Sequence, residues 1–273
     1  MKNNSKNILI TGAFGGLGTA TISELTKNQW HVFASDVNPT ILEKYKDNKW
    51  VTPVLMDITD QSDIDKAFDV IAEQTSGLDA IINLTGILVV GSVVELPIET
   101  IQKIIDINLL GAYRTNQKFL PLIINRKGRI INISSETGWQ TAAPFNGAYA
   151  LSKYALEAYS DALRRELAFL DIKVIKIQPG PFKTEMTKHI EQKFAKAENE
   201  SKLFKKNLAK GQTYLPGVYK NAHEPVILAK TIVQVLNSKN PKTAYSLKSD
   251  KARSFLDKIP IRWADKLIKR ALS

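Results

Sequence analysis

Short Ile- and Val-rich runs alternate along this chain with longer helix-like stretches, and that rhythm leaves few folds open. The runs lie at Asn7 to Thr11, His31 to Asp36, Val51 to Met56, Ala80 to Asn83, Arg129 to Ile133, Lys173 to Gln178 and Thr243 to Ser246. Helical stretches fall near Gly16 to Lys27, Ser62 to Gln74, Thr100 to Ile124, Ala148 to Leu170 and Pro225 to Asn237. Near-continuous apolar strands separated by helices build a parallel sheet covered on both faces, with right-handed crossovers. The expected fold class is therefore α/β, a doubly wound parallel sheet of about seven strands. At 273 residues with 44% hydrophobic content, one domain over 1–273 is expected. A lysine-rich stretch, Glu191 to Gly211, lacks a strong apolar period, so a mobile insertion is expected near 185–215, followed by C-terminal helices over 250–273.

Composition removes several chemistries. With no cysteine, disulfides, thiolate zinc sites and a cysteine nucleophile are excluded. His31, His189 and His223 are scattered, with no spacing that puts two on one helical face, so no metal site is expected. The glycines from Gly12 onward interrupt the first apolar run before a secretory segment could form, and no run approaches the roughly 20 residues of a membrane span. A soluble, cytoplasmic protein is the expectation. The net charge of +11 is uneven: residues 1–110 hold 8 Lys and Arg against 14 Asp and Glu, and the rest 30 against 13. No nucleic-acid motif accompanies this excess, so solvated lysine-rich helix faces are expected and no nucleic-acid partner.

In an open α/β sheet, ligands bind beyond the carboxyl ends of the strands. After the first strand comes Thr11-Gly12-Ala13-Phe14-Gly15-Gly16-Leu17-Gly18, a glycine turn opening a helix. Such glycines let the backbone approach a pyrophosphate, whose charge meets free N–H groups and the positive end of the helix dipole. The second strand ends at Asp36, about 20 residues on, where a carboxylate can bond ribose hydroxyls. A 2′-phosphate would face that carboxylate, and Ala13, Phe14, Val37 and Asn38 supply no cation to bind it. NAD is the expected cofactor. Asp57-Ile58 after the third strand and Asn83-Leu84-Thr85-Gly86 after the fourth face the same crevice.

Thr-Gly-x-x-x-Gly-x-Gly at Thr11 to Gly18, with Asn83-x-x-Gly86 downstream, resembles the short-chain dehydrogenase/reductase family, whose domain is a Rossmann fold. The resemblance implies that Asp57 contacts the adenine and that the Asn83 turn supports the sheet near the cofactor. Leu84-Thr85 stands where the family commonly has Asn-Ala. Further on, Tyr149 and Lys153 are four apart, which stacks them on one helical face. A neighbouring ammonium lowers a phenol from its ordinary pKa of ~10, fitting it for proton transfer. The order of Gly128 to Ser135, Tyr149-x-x-x-Lys153 and Pro179-Gly180-Pro181-Phe182-Lys183-Thr184 is similar to the family's active-site block. By position, the resemblance makes Tyr149 the acid/base. Lys153 lowers its pKa and grips the nicotinamide ribose, while Asn108 holds a relay water. Ser135, three residues before Gly138, bonds the substrate oxygen, and strand alternation turns Ser134 away. Thr184 falls near the nicotinamide carboxamide, Pro179 and Gly180 shape that turn, and Phe182 is implied to contact the cofactor with them.

The segments Ser152 to Ala158 and Ala162 to Leu167 look like the branch of the family acting on hydroxysteroids, retinoids and other hydrophobic alcohols. Leu88, Val89, Trp139, Phe145, Phe182 and Met186 are the expected lining, with Trp139, Phe145 and Met186 against substrate. The resemblance implies a hydride transfer between NAD(H) and a hydrophobic secondary alcohol or ketone, in a homodimer or homotetramer joined through the helices of Thr100 to Ile124 and Ala148 to Leu170. Alternatives are an NADP-dependent carbonyl reductase and a non-enzymatic dinucleotide sensor. The sensor has no need of Asn108, Ser135, Tyr149 and Lys153 together. The amphipathic stretch Ile261 to Leu272 is expected to pack on its own domain, without membrane contact.

Overall fold

The computed structural model describes residues 6–220 and 222–273. Its strands are β1 (Asn7–Thr11), β2 (His31–Asp36), β3 (Val51–Leu55), β4 (Ala80–Asn83), β5 (Arg129–Ile133), β6 (Lys173–Pro179) and β7 (Ala244–Leu247). They form one sheet in the order β3-β2-β1-β4-β5-β6-β7, and every adjacent pair is parallel. Strand order reverses between β1 and β4, which opens a crevice at their carboxyl ends.

Thirteen helices are described: α1 (Gly16–Lys27), α2 (Thr40–Tyr45), α3 (Gln61–Ala72), α4 (Ile98–Ile105), α5 (Gly111–Arg126), α6 (Gly147–Leu167), α7 (Glu185–Lys188), α8 (Ile190–Glu200), α9 (Lys205–Gln212), α10 (Leu215–Lys220), α11 (Val226–Asn237), α12 (Lys251–Leu256) and α13 (Ile261–Leu272). The side-chain period of two splits each central strand between two cores. Ile8 and Ile10 of β1 pack with Ile22 and Leu25 of α1 and Leu228 and Ile232 of α11. Leu9 between them joins the other layer, with Ile64 and Ile71 of α3 and Phe119 and Ile123 of α5. Burial on both faces is why these strands read as unbroken apolar runs.

Three differences from expectation have physical causes. The single helix expected over Thr100 to Ile124 is α4 and α5 joined by a π-helical turn, Asp106–Leu110. An unexpected helix, α2, buries only Ile41 and Tyr45, too few for a periodic signal. The stretch read as an insertion is helical: α8 and α9 bury Ala197 and Leu208, which meet Val90 from the loop after β4, together with Leu88, Phe145, Phe194 and Phe204. Its apolar residues serve a small satellite cluster rather than the main core, and the helical period is correspondingly faint. Among the described residues no helix is long and apolar enough to cross a membrane.

Candidate active site

The crevice begins at Gly12, whose φ of +70° is a left-handed conformation natural to glycine. A Cβ there would stand 2.8 Å from the Thr85 nitrogen, so only a bare backbone lets the turns after β1 and β4 meet. Thr184 packs over the same turn, its Cγ2 3.4 Å from where a Cβ on Gly16 would lie. No side chain caps α1, which leaves the N–H groups of its first turn for a ligand.

Two adjoining cavities share Gly12, Asp36 and Thr85. The larger, of about 730 Å³, is lined by Val37, Met56, Asp57, Ile58 and Ile107 among others; the smaller, of about 370 Å³, by Phe14 to Gly18, Gly86, Thr184 and Met186. Asp36 accepts the Phe14 and Asn38 backbone N–H groups at 2.9 and 3.0 Å, which fixes its carboxylate at the cavity wall. Asp57 accepts the backbone N–H and hydroxyl of Thr59 at 2.8 and 2.7 Å. The buried Ser35 hydroxyl, in the wall of the larger cavity, has no partner. An uncapped helix start, a Cβ-free glycine cradle and a carboxylate in the shared wall of two adjoining cavities fit an adenine dinucleotide.

One neighbour was invisible in the sequence. Lys44, from α2, places its ammonium 4.7 Å from the Phe14 ring centroid and donates to the Thr19 hydroxyl at 2.7 Å. Burial lowers its pKa and the Asp36 carboxylate raises it, so a cation does stand near Asp36 and Phe14. No local spacing announces it, because α2 reaches Phe14 only through the fold.

Asn83 does not face the crevice. It is buried and donates to Asn116 and Asn132 at 2.9 and 2.8 Å, while Asn132 donates to Ser160 and Asn116 to the Tyr159 hydroxyl. This polar ladder ties β4, β5, α5 and α6 beneath the site. Phe182 is likewise in the core, against the His223 ring and the layer containing Leu228. Gly180 donates to Leu247, and a Cβ on it would lie 2.2 Å from the Lys248 carbonyl oxygen, so its demand comes from the strand pairing at Pro179.

Near the ladder stand the four side chains that the sequence pattern singles out, Asn108, Ser135, Tyr149 and Lys153. Asn108, in the π-helical turn, is buried; its amide donates to the Ile87 carbonyl and the Ser152 hydroxyl and accepts the Ile87 N–H at 2.7 Å. A widened turn is a recurrent way of aiming one side chain inward. A Cβ on Gly86 would lie 3.4 Å from the Asn108 Oδ1 and 3.5 Å from the Lys153 Nζ, so both groups converge on that glycine. Lys153, 3% exposed, donates to the Ile133 carbonyl at 3.0 Å. Its ammonium lies 5.9 Å from the Tyr149 ring centroid. Burial pulls Lys153 down to about 8, opposed by Glu157.

Tyr149 is half-buried, and its hydroxyl is hydrogen-bonded to Ser135. Burial pushes Tyr149 up to about 12; the Ser135 bond works against this, Glu136 adds to it and Arg253 opposes it. Ser135 also accepts the Thr137 N–H at 3.1 Å. Its neighbour Ser134 is buried with no partner for its hydroxyl, and a Cβ on Gly138 would lie 2.8 Å from that oxygen.

Of the apolar residues expected against substrate, Met186 lines the glycine-turn cavity, Phe145 packs on Phe204 with centroids 5.9 Å apart, and Trp139 is exposed. Phe145 has φ +63°, a strained setting for an aromatic residue. Phe204, which the sequence alone did not single out, joins Phe145 in the satellite apolar cluster with Ala197 and Leu208. Among the described residues no group of three or more His, Asp or Glu could hold a metal ion.

Known proteins place this arrangement. Residues 6–195 match the family model described as short chain dehydrogenase. The chain is 30% identical over 264 residues to a probable short-chain type dehydrogenase/reductase of Helicobacter pylori, covering 96% of each chain. It is 29% identical over 283 residues to human 17-beta-hydroxysteroid dehydrogenase type 6, covering 97% of this chain and 88% of the relative. A solved short-chain dehydrogenase from Streptomyces avermitilis superposes with TM-score 0.79 at 21% identity, over 99% of this chain and 100% of its own, which speaks for the fold. The match over more than half of the sequence, on a Rossmann-type sheet with its crevice at the strand reversal, makes this chain a member of the short-chain dehydrogenase/reductase family of oxidoreductases.

Proposed function

We propose that this protein transfers a hydride between NAD(H) and a hydrophobic secondary alcohol or ketone, with Tyr149, Lys153, Ser135 and Asn108 as its catalytic set. The observation that carries the reading is the convergence of the Ser135 hydroxyl on Tyr149, and of Asn108 and Lys153 on Gly86, a glycine that lines the smaller cavity beside the glycine turn. When bound, the nicotinamide supplies or accepts the hydride.

The chain's own groups handle the proton. In oxidation, Tyr149 Oη takes the alcohol's hydroxyl proton while Ser135 Oγ hydrogen-bonds the substrate oxygen; in reduction, Tyr149 returns it. A phenol held near 12 is a poor base at neutral pH, so positive charge must come closer as the site fills. Lys153 supplies it by turning from the Ile133 carbonyl toward the ribose and phenol. Asn108 fixes Ile87 and Ser152 around that path, the place for a relay water.

Asp36, held by two backbone N–H groups, favours the unphosphorylated ribose of NAD. A second reading, use of NADP(H), gains support from Lys44, whose ammonium could face a 2′-phosphate beside Asp36. The hydrophobic substrate class rests on the apolar cluster of Leu88, Val90, Phe145, Phe194 and Phe204, with Met186 nearer the cofactor end. Assembly as a homodimer or homotetramer, and a cytoplasmic setting without membrane contact, complete the proposal. A screen of hydrophobic secondary alcohols with NAD, followed by NADH absorbance, tests it. Tyr149→Phe should reduce turnover by roughly 10²- to 10⁴-fold while NADH still binds. A variant retaining near-normal rate would remove Tyr149 from the mechanism.

A further inference from the structure

The loop carrying Ser135 is fastened to a part of the chain well outside the matched residues 6–195. Glu136, buried directly after the serine, accepts the Asp250 N–H at 2.6 Å and lies 3.7 Å from the Arg253 guanidinium of α12. Arg253 also donates to the Thr137 hydroxyl and to the Thr141 carbonyl, each at 3.2 Å. Ser254 accepts from Gln140 at 2.7 Å, and Asp257 accepts both the backbone N–H and the hydroxyl of Thr141. The segment from Asp250 to Asp257, with α12 at its centre, thus meets the catalytic-serine loop at Glu136, Thr137, Gln140 and Thr141.

We infer that α12 is a working part of the catalytic centre: Arg253, paired with Glu136, positions the Ser135 loop against Tyr149 and balances the charge that the phenol meets there. The inference rests on the reading of Tyr149 as the proton-transferring group. Arg253 is a positioning residue, since it reaches the reacting atoms only through Glu136, Thr137 and the loop.

The pairing is needed because Glu136 is an awkward neighbour. A buried carboxylate beside a phenol that must ionise disfavours phenolate, and the guanidinium offsets that effect. Beyond these, Lys153 has its ammonium 5.9 Å from the Tyr149 ring centroid, with Glu157 acting on Lys153 and Asp250 on Glu136. Lys153 is engaged with Ile133, which leaves Arg253 as the cation that acts on the phenol in this arrangement.

The test needs no substrate. The protein is labelled with ¹³Cζ-tyrosine and titrated by NMR in saturating NAD, with Tyr149→Phe identifying the resonance. Arg253→Gln should raise the Tyr149 midpoint and Glu136→Gln should lower it, each by less than the roughly 1–3 pH units that a directly adjacent charge produces. Arg253→Lys, which keeps the charge, should stay close to the parent. A role confined to loop structure would move both variants alike or neither, and either result overturns the inference. If Arg253→Gln does not fold, the fall in Glu136→Gln and the parent-like value of Arg253→Lys still decide it. Turnover by Tyr149→Phe is a separate experiment, so a failure of the catalytic reading is told apart from a failure of this one.

Discussion

Replacing Lys153 with Met should stabilise the folded protein at pH 7 and lose that advantage as the pH rises. Lys153 is 3% exposed and its ammonium is held in the fold at about 8 instead of 10.5. A tenfold change in acidity is worth 1.36 kcal/mol, so this displacement corresponds to about 3 kcal/mol of unfavourable charge burial. Methionine has similar length and no charge, but it abandons the bond to the Ile133 carbonyl, which costs about 1–2 kcal/mol. The net gain at pH 7 is therefore about 1–2 kcal/mol, or roughly 3–6 °C in Tm for a chain of this size. The sign of the pH effect follows from linkage. The folded-state pKa lies below the unfolded one, so the penalty is fully present below about pH 8, fades as pH climbs toward 10.5 and is absent above it. Urea unfolding of parent and variant at half-unit steps from pH 7 to 10.5 should show a constant difference up to about pH 8 and the parent gaining on the variant from there to 10.5. A constant difference over the whole range, or a variant already weaker at pH 7, would refute the reasoning.

Other perturbations follow from the same geometry. Gly12→Ala, forced to hold φ +70° with a Cβ 2.8 Å from the Thr85 nitrogen, should cost about 1–3 kcal/mol in thermal stability and abolish NADH binding by fluorescence titration. Asp36→Ala should weaken NAD binding and strengthen NADP binding, while Lys44→Ala should weaken NADP alone, roughly tenfold for a lost contact of about 1.4 kcal/mol; equal effects on both cofactors would remove Lys44 from the ribose end. Phe204→Ala, which exposes the ring of Phe145, should raise KM for bulky hydrophobic alcohols with little change in kcat, and an unchanged KM would detach α9 from substrate binding.

The sheet and the crevice were legible because their signals are local. A two-face-buried strand such as Leu9 between Ile8 and Ile10 announces itself as an apolar run, and Gly12 sits where the chain must turn directly after it. Tyr149 and Lys153 were readable from a spacing of one helical turn, although the ammonium proved to be engaged with Ile133. What the sequence hid is held by contacts between distant residues. Lys44 reaches Phe14 through α2, Arg253 reaches Thr137 from a helix more than a hundred residues later, and α8 and α9 borrow Leu88 and Val90 to complete an apolar cluster too small to impose a period on either. Phe182 and Asn83 show the opposite limit: family position puts both at the cofactor end, while their side chains lie in the core and in the asparagine ladder, the ladder holding the sheet as the Asn83 turn is expected to.

The π-helical turn at Asp106–Leu110 has a further effect on the molecule's wiring. Closing the helix through one extra residue shifts the angular phase of everything after it by about 100° relative to an uninterrupted 3.6-residue spiral. Excising a single residue there would swing Thr115, Asn116 and Phe119 out of the interior together, unfastening the ladder from one end while the amide of Asn108 slid off Ile87 at the other. Scaffold and chemistry are thus geared to the same surplus residue, and neither can be retuned without the other.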